Sequence, residues 1–330
     1  MKLNAAYPAL LALLLTLAFA GCRQEPLSAE GGVIRFQVNT ADISSSLTKY
    51  QLPVVDDLPD DSLRINGNTV RVWGAMDAAV LFDPYLVLTC NGDGNSASWD
   101  YDGDRHYWNM TAAYQFRSVF TNDPDTEISS GASASSVTVK YKGGYDLMVA
   151  AKSLASSDAK SATLNFGHAC AAVRFYCVDP TRTSTATTAN FNITSFKLNY
   201  VSKTGTLTFS DGMAWSPASP TAEAYTLPAA SLPWPVPSNN DDATAALTPW
   251  FFFVPQNLEN NNASIEFSFA PTGTEYTGID HSVDVKYYLK NAWEAGKMYT
   301  YFIVLDPAGI QFNVDWTDWA DSENYTFTKN

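Results

Sequence analysis

Two groups of oxygen-bearing residues stand close together, Asn91-Gly92-Asp93-Gly94-Asn95 and Asp100-Tyr101-Asp102-Gly103-Asp104. Hard oxygens at alternate positions suit calcium. A calcium loop of the EF type opening at Asp100 needs glycine at its sixth residue and glutamate at its twelfth, and Arg105 and Thr111 stand there. The stretch therefore reads as a solvated hairpin loop. Nor do these acids make a glycosidase pair, because two carboxylates two residues apart on one short loop do not flank a sugar bond. His106, His168 and His281 are far apart, with no carboxylate or cysteine at metal-ligand spacing; His168-Ala169-Cys170 is the one close pair and reads as structural. There is no Gly-x-Ser-x-Gly elbow, phosphate loop or dinucleotide fingerprint. The expectation is a protein that is not an enzyme, with no metal and no cofactor.

One further residue has chemistry in prospect. Lys2, an apolar run from Leu10 to Phe19, and then Ala20-Gly21-Cys22 open the chain. The run is about half of the ~20 residues that span a bilayer, so it reads as a signal peptide over 1–21 and not as a membrane span. A cysteine directly after two small residues resembles a lipobox, the motif at which bacterial lipoproteins are cleaved and acylated. Cys22 then carries the lipid, and residues 22–31 form a polar tether. With Cys22 used, Cys90, Cys170 and Cys177 remain, so at most one disulfide can form. If one strand holds both Cys170 and Cys177, they point to opposite faces; buried thiols are the favoured reading.

The elements that must position these residues are strands. In 330 residues, 46% are hydrophobic, 13% aromatic and only 16% charged, a balance that favours strands over helices and excludes disorder. A net charge of −14 offers no field for phosphate backbones, so nucleic acid is not an expected partner. Residues 33–38 place Ile34, Phe36 and Val38 on one face and Arg35 and Gln37 on the other. The same alternation predicts strands over 69–73, 80–89, 107–120, 137–141, 145–152 and 162–168. A second series covers 171–178, 191–201, 205–209, 223–227, 250–254, 263–269, 282–289, 298–305 and 310–316. Turn residues fill nearly every gap. Short strands and frequent turns predict β-sandwiches, one over 32–160 and one over 161–330. Seven of the 17 prolines lie between Pro217 and Pro249, which reads as a long loop or edge decoration.

Several stretches, in order, resemble the fimbrillin family, subunits of protease-assembled pili and related surface lipoproteins of Gram-negative anaerobes. They are the lipobox, tether and strand over 32–40; Trp99, Tyr107-Trp108 and Tyr114-Gln115-Phe116-Arg117; Phe166-Gly167-His168-Ala169 and Val173-Arg174-Phe175; Gly205-Thr206-Leu207 with Trp215; and Phe252-Phe253-Val254-Pro255-Gln256. The end is the most specific: Trp293-Glu294-Ala295-Gly296-Lys297-Met298-Tyr299, then Ile310 to Val314 and Trp316-Thr317-Asp318-Trp319.

The resemblance implies two tandem transthyretin-like, Greek-key β-sandwich domains and a structural role in a cell-surface pilus that supports adhesion. It implies export as a lipoprotein to the outer membrane, removal of the lipidated segment with its first strand by a protease, and filling of the resulting groove by a strand from a neighbouring subunit. Ile34, Phe36 and Val38 are then the displaceable strand. Ile310, Phe312, Val314 and Trp316, or Tyr325 and Phe327 in the tail, are the donor candidates. Relatives carry an arginine soon after the first strand; here Lys49 is the first candidate for the cut and Arg64 the second. Partners are other pilus subunits, and the membrane through Cys22 before maturation. The main alternative is a surface lipoprotein that does not polymerise and binds a glycan or host ligand. Trp99, Trp108, Trp234 and Trp250 lie in or near loops, and Trp234 in its proline frame is the best single candidate for stacking a sugar.

Overall fold

Residues 31–40, 63–131, 134–178, 191–227, 234–235, 248–271, 283–306 and 309–318 are described by the computed structural model. Among them the only helical element is one 3₁₀ turn, Gly94–Ser96. The strands are β1 (Phe36–Thr40), β2 (Thr69–Met76), β3 (Ala79–Val80), β4 (Leu86–Asn91), β5 (Ser98–Asp100), β6 (Tyr114–Thr121), β7 (Glu127–Ser130), β8 (Val137–Tyr141), β9 (Leu147–Leu154) and β10 (Ala162–His168). They continue with β11 (Ala171–Val178), β12 (Phe191–Asn199), β13 (Gly205–Phe209), β14 (Met213–Pro217), β15 (Tyr225–Thr226), β16 (Trp234–Pro235) and β17 (Phe251–Phe253). The last are β18 (Gln256–Asn257), β19 (Ser264–Pro271), β20 (Val283–Tyr288), β21 (Ala292–Trp293), β22 (Lys297–Asp306) and β23 (Gly309–Asp318). The all-β class expected from the composition is what is observed.

An eight-stranded sheet runs β1-β10-β9-β6-β2-β4-β5, with β3 beside β2. Its two edges, β1 and β5, come together, so the sheet curls around its own apolar face. The central strands are buried on both sides. β2 sends Val70 and Val72 into the enclosed core, while Trp73 and Ala75 go to a second core behind it. β9 divides Met148 and Ala150 from Leu147 and Val149 in the same way. That second core is closed by the sheet β14-β13-β8-β7, through Val137, Val139, Tyr141, Leu207 and Phe209.

A third core lies between the sheet β17-β11-β22-β23 and the sheet β15-β12-β19-β20, to which β16 adds by pairing β12. β11 supplies it with Ala171, Val173, Phe175 and Cys177. Cys170 belongs to the second core and Cys177 to the third, and Cys90, Cys170 and Cys177 are all buried thiols. Pairing crosses residue 160 in two places: β10 joins β9 and β1, and β13 joins β8. The apolar row of β10, Ala162, Leu164 and Phe166, completes the first core, and Leu207 and Phe209 complete the second. The chain passes toward the third core at Ala169 and Cys170, where the Trp215 indole donates to the Ala169 carbonyl and the Gly296 amide to that of Cys170.

Candidate functional site

The site is the slot that β1 fills. Alternation puts Ile34, Phe36 and Val38 inward, where they are 0%, 5% and 6% exposed, while Arg35, Gln37 and Asn39 face solvent. β1 runs parallel to β10 in a register from Phe36 opposite Ala162 to Thr40 opposite Phe166. Its other side is not open. The Ile34 amide donates to the His106 carbonyl at 2.8 Å, the Trp108 amide donates to the Gly32 carbonyl at 3.1 Å, and Val33 bridges Tyr107. The Tyr101 hydroxyl donates to the Ile34 carbonyl at 3.1 Å and accepts from the His106 amide at 3.3 Å.

The pocket around Phe36 is aromatic. Phe116 meets the Phe36 ring edge-on at 5.3 Å between centroids, and Phe82 meets it at 6.3 Å. Gly74 makes this possible: a Cβ there would come within 2.6 Å of the Phe82 ring. Behind Phe116, Trp108 packs against Tyr114 at 4.8 Å. Burying three such side chains is worth roughly 5–9 kcal/mol at ~1.5–3 kcal/mol each. A whole domain is stable by only about 5–15 kcal/mol, so the body without a strand in this slot is marginal.

Outward, the Thr163 hydroxyl donates to the Gln37 amide oxygen and the Asn39 amide donates to Asn165, both at 3.2 Å. The loop that holds Tyr101 is fixed by Arg105, whose guanidinium bonds Asp100 at 2.7 and 3.3 Å and lies 4.9 Å over the Tyr101 ring. The hydrogen bond from Arg105 holds the Asp100 carboxyl below its ordinary range. Asp93 accepts from the Asn66 backbone amide. Among the described residues no group of histidine, cysteine and carboxylate side chains is arranged to hold a metal.

The late strand belongs to a different sheet from the strand in this slot. β23 is the edge of its sheet and pairs antiparallel with β22, which puts Ile310, Phe312, Val314 and Trp316 opposite Leu305, Ile303, Tyr301 and Tyr299. Tyr325 and Phe327 lie outside the described residues, as do Cys22 and Lys49. Arg64 is described, in a turn tied to the 90–94 loop: its carbonyl accepts from Gly94, the Gly67 amide donates to Cys90, and Gly92 donates to the Asn66 side chain.

Of the loop tryptophans, Trp108 is in the first core and Trp99 packs against it, while Trp250 lies 4.2 Å from the Arg174 guanidinium. Trp234 pairs through its backbone with Ile193. His168, the histidine of the close pair with Cys170, instead meets Asp146 at 2.8 Å with both side chains buried. Burial pushes the Cys170 thiol and the neighbouring Tyr141 phenol up from their ordinary ranges. Sequence reasoning missed the 101–108 segment as the second wall of the slot; its signal was the aromatic run Tyr101, His106, Tyr107 and Trp108, which is not a strand but packs like one side of a core.

No curated protein matches the sequence. Among solved structures, the chain resembles a fimbrial protein from Bacteroides vulgatus at 13% identity and a TM-score of 0.59, covering 87% of this chain and 99% of that one. It also resembles a candidate cell adhesion protein from Bacteroides uniformis at 15% identity and a TM-score of 0.52, covering 87% and 98%. These likenesses show a shared fold. The model of the fimbrillin-like family matches residues 73–319, which is most of the sequence, and the chain belongs to that family.

Proposed function

We propose that this protein is a structural subunit or accessory component of a cell-surface pilus that supports adhesion. It is exported as a lipoprotein acylated on Cys22, reaches the outer membrane, and joins other subunits after proteolysis releases β1. The observation that carries this reading is the position of β1: a short strand, separable by a single cut in the connection that follows it, fills a core slot walled on both sides by hydrogen-bonding backbone. Its loss leaves apolar pockets and unpaired donors and acceptors, which a strand from another molecule can satisfy through the same ladder.

Lys49 is the favoured point of cleavage. Arg64 sits in a turn whose backbone is already bonded to the 90–94 loop, and a protease needs an extended, unpaired segment. The two tandem sandwiches belong to the same proposal, with β10 and β13 tying the second half of the chain to the first.

Surface-sheared material from cells making the protein tests the reading. Ladders of subunits that resist boiling in detergent are expected, together with a mature N-terminus beyond β1. A single monomer band after protease maturation overturns polymerisation and leaves a surface lipoprotein that acts alone.

A further inference from the structure

Strand β20 contains Asp284-Val285-Lys286, an anion and a cation set evenly about one apolar residue. Turned end for end, that triplet faces itself with unlike charges. Among the described residues β20 is the edge of its sheet, with β19 on one side only. We infer that this edge pairs antiparallel with β20 of a second copy of the chain, about a twofold axis at Val285, so that Asp284 lies opposite the partner's Lys286. The contact belongs to the sheet over the third core and leaves the slot of β1, in the first core, untouched. It does not rest on strand exchange.

The backbone limits the registers. The Leu289 amide donates to the Ala263 carbonyl at 2.8 Å, which extends the β19–β20 ladder by one hydrogen-bonded pair. Such pairs recur at every second residue, so Val285 and Tyr287 turn their amides and carbonyls toward β19, and Asp284, Lys286 and Tyr288 turn theirs outward. Twofold pairing must join outward residues to outward residues. Centred on Asp284 it sets that carboxylate against its twin, and centred on Lys286 it sets the two ammonium groups together. Like charges directly opposite are destabilising. Centred on Val285, it joins Asp284 to the partner's Lys286 twice over, by backbone hydrogen bonds and by charge.

The side chains favour the same register. Lys286 ends a row of alternating sign across the outer face: Lys197 bonds Glu223 at 2.7 Å, Lys197 is in register with Glu266, and Lys286 bonds Glu266 at 2.6 Å. The partner's Asp284 continues that row. Asp284 accepts from the Ser268 hydroxyl at 2.6 Å and forms no ion pair among the described residues. On the inner face Val285 and Tyr287 are only half-buried at the rim of the third core, a rim that a second copy covers. β20 has neither proline nor bulge to blunt its edge, and its one lysine, which would repel a twin, is answered by Asp284. The other long edge, β23, contains Asp315 and Asp318 and no base, so it offers a twin no cation. In a chain of net charge −14, two copies repel unless their surfaces match locally. One contact between two short strands is weak, and copies aligned in two neighbouring filaments multiply it where the pilus reading holds.

The chain beginning after Cys22, which keeps β1 in its slot, is the material for the test. Sedimentation velocity is expected to show monomer passing to dimer as the concentration is raised. Copies carrying V285C with two distinct tags are expected to form disulfide-linked dimers of unlike tags under mild oxidation, because the Cα atoms of a non-hydrogen-bonded pair stand about 4.5 Å apart. Y288C, which lies far from its twin in this register, is expected to give at least tenfold less. D284K and K286D, both at exposed positions, are each expected to weaken self-association at least tenfold, and an equal mixture of the two is expected to restore it, since each then supplies the charge the other needs. A monomer at every concentration without crosslinking at residue 285 overturns the inference. So does a dimer that survives both charge variants, which places the contact on another surface. Either result leaves strand exchange standing, because the boiling-resistant ladders test that separately.

Discussion

Phe36 and Phe116 meet at right angles, with ring centroids 5.3 Å apart, although one lies on the first strand and the other on the middle of the sheet. This contact joins the strand proposed to leave to the part of the core that stays. Phe36→Ala removes the ring from the pocket walled by Phe82 and Phe116, and a loss of about 3–5 kcal/mol is expected in the precursor. Phe36→Leu keeps part of the volume and is expected to cost about 1–2 kcal/mol. Chemical denaturation of the two variants checks the order; equal stabilities would mean that the pocket closes up without the ring.

Val38 is 6% exposed and belongs to the same core. Val38→Asp puts a carboxylate there with no cation beside it, and the fall in stability is expected to be at least as large as that of Phe36→Ala. Val38→Ile adds only one methylene and serves as the control. Melting curves decide the matter, and an unchanged melting temperature for the aspartate variant would show that β1 is not packed inside the sheet.

How much of this was legible in the sequence depends on which property a residue expresses. Strands 137–141, 162–168, 171–178 and 205–209 were read with their observed limits, since one face of each is apolar and alternation is a local signal. The stretch 80–89 was read as one strand and is two, β3 and β4, divided by the bend at 81–85. Similarly, of 107–120 only the part from Tyr114 is strand, and Tyr107 contributes a single bridge. β7 and β14 were missed because they are largely exposed strands, each reaching the second core through one side chain, Ile128 and Trp215, which is too little to make an alternating pattern. Pairing was not legible at all: that β1 meets β10, more than a hundred residues away, follows from the sum of the sheet and not from either strand. The residues of the slot were therefore found on the strand that fills it and missed on the 101–108 wall.

A protease that cuts after Arg64 must first unfold the turn in which that residue stands. The turn after Arg64 is held by the hydrogen bond between Gly67 and the Cys90 carbonyl and by those of Asn66 with Asp93 and Gly92. Lys49→Ala is expected to slow maturation by a trypsin-like enzyme at least tenfold, and Arg64→Ala is expected to leave it unchanged. N-terminal sequencing of the product separates them, a start at Tyr50 supporting the first site and a start at Ile65 the second.

The thiols of Cys90, Cys170 and Cys177 are buried, and burial raises the pKa of both Cys90 and Cys170. A thiol reacts as its thiolate, so both loss of access and loss of ionisation slow it. A soluble form beginning after Cys22 is expected to react with an aromatic disulfide reagent at least a hundredfold more slowly when native than when denatured, and to show three thiols in denaturant. Fewer than three would mean that a disulfide has formed; fast labelling of the native form would mean that one of the cores opens.

Asp100 and Arg105 connect the stability of the slot to pH. Arg105 bonds the carboxylate at 2.7 Å, also donates to the Tyr101 carbonyl at 3.0 Å, and so steadies the side chain whose hydroxyl holds Ile34. The Asp100 carboxyl has a folded pKa below its ordinary value. Its contribution to stability is therefore complete above the ordinary carboxylate pKa and is lost as the pH falls through the folded value. The pair is solvent-exposed, so the effect on global melting is small. Asp100→Asn is expected to lower the melting temperature slightly at neutral pH, with the difference from the unmodified protein shrinking to nothing in acid. Hydrogen exchange at the Ile34 amide gives the local reading: faster exchange in Asp100→Asn at neutral pH is expected, and equal rates at every pH would show that the loop holds β1 without help from this ion pair.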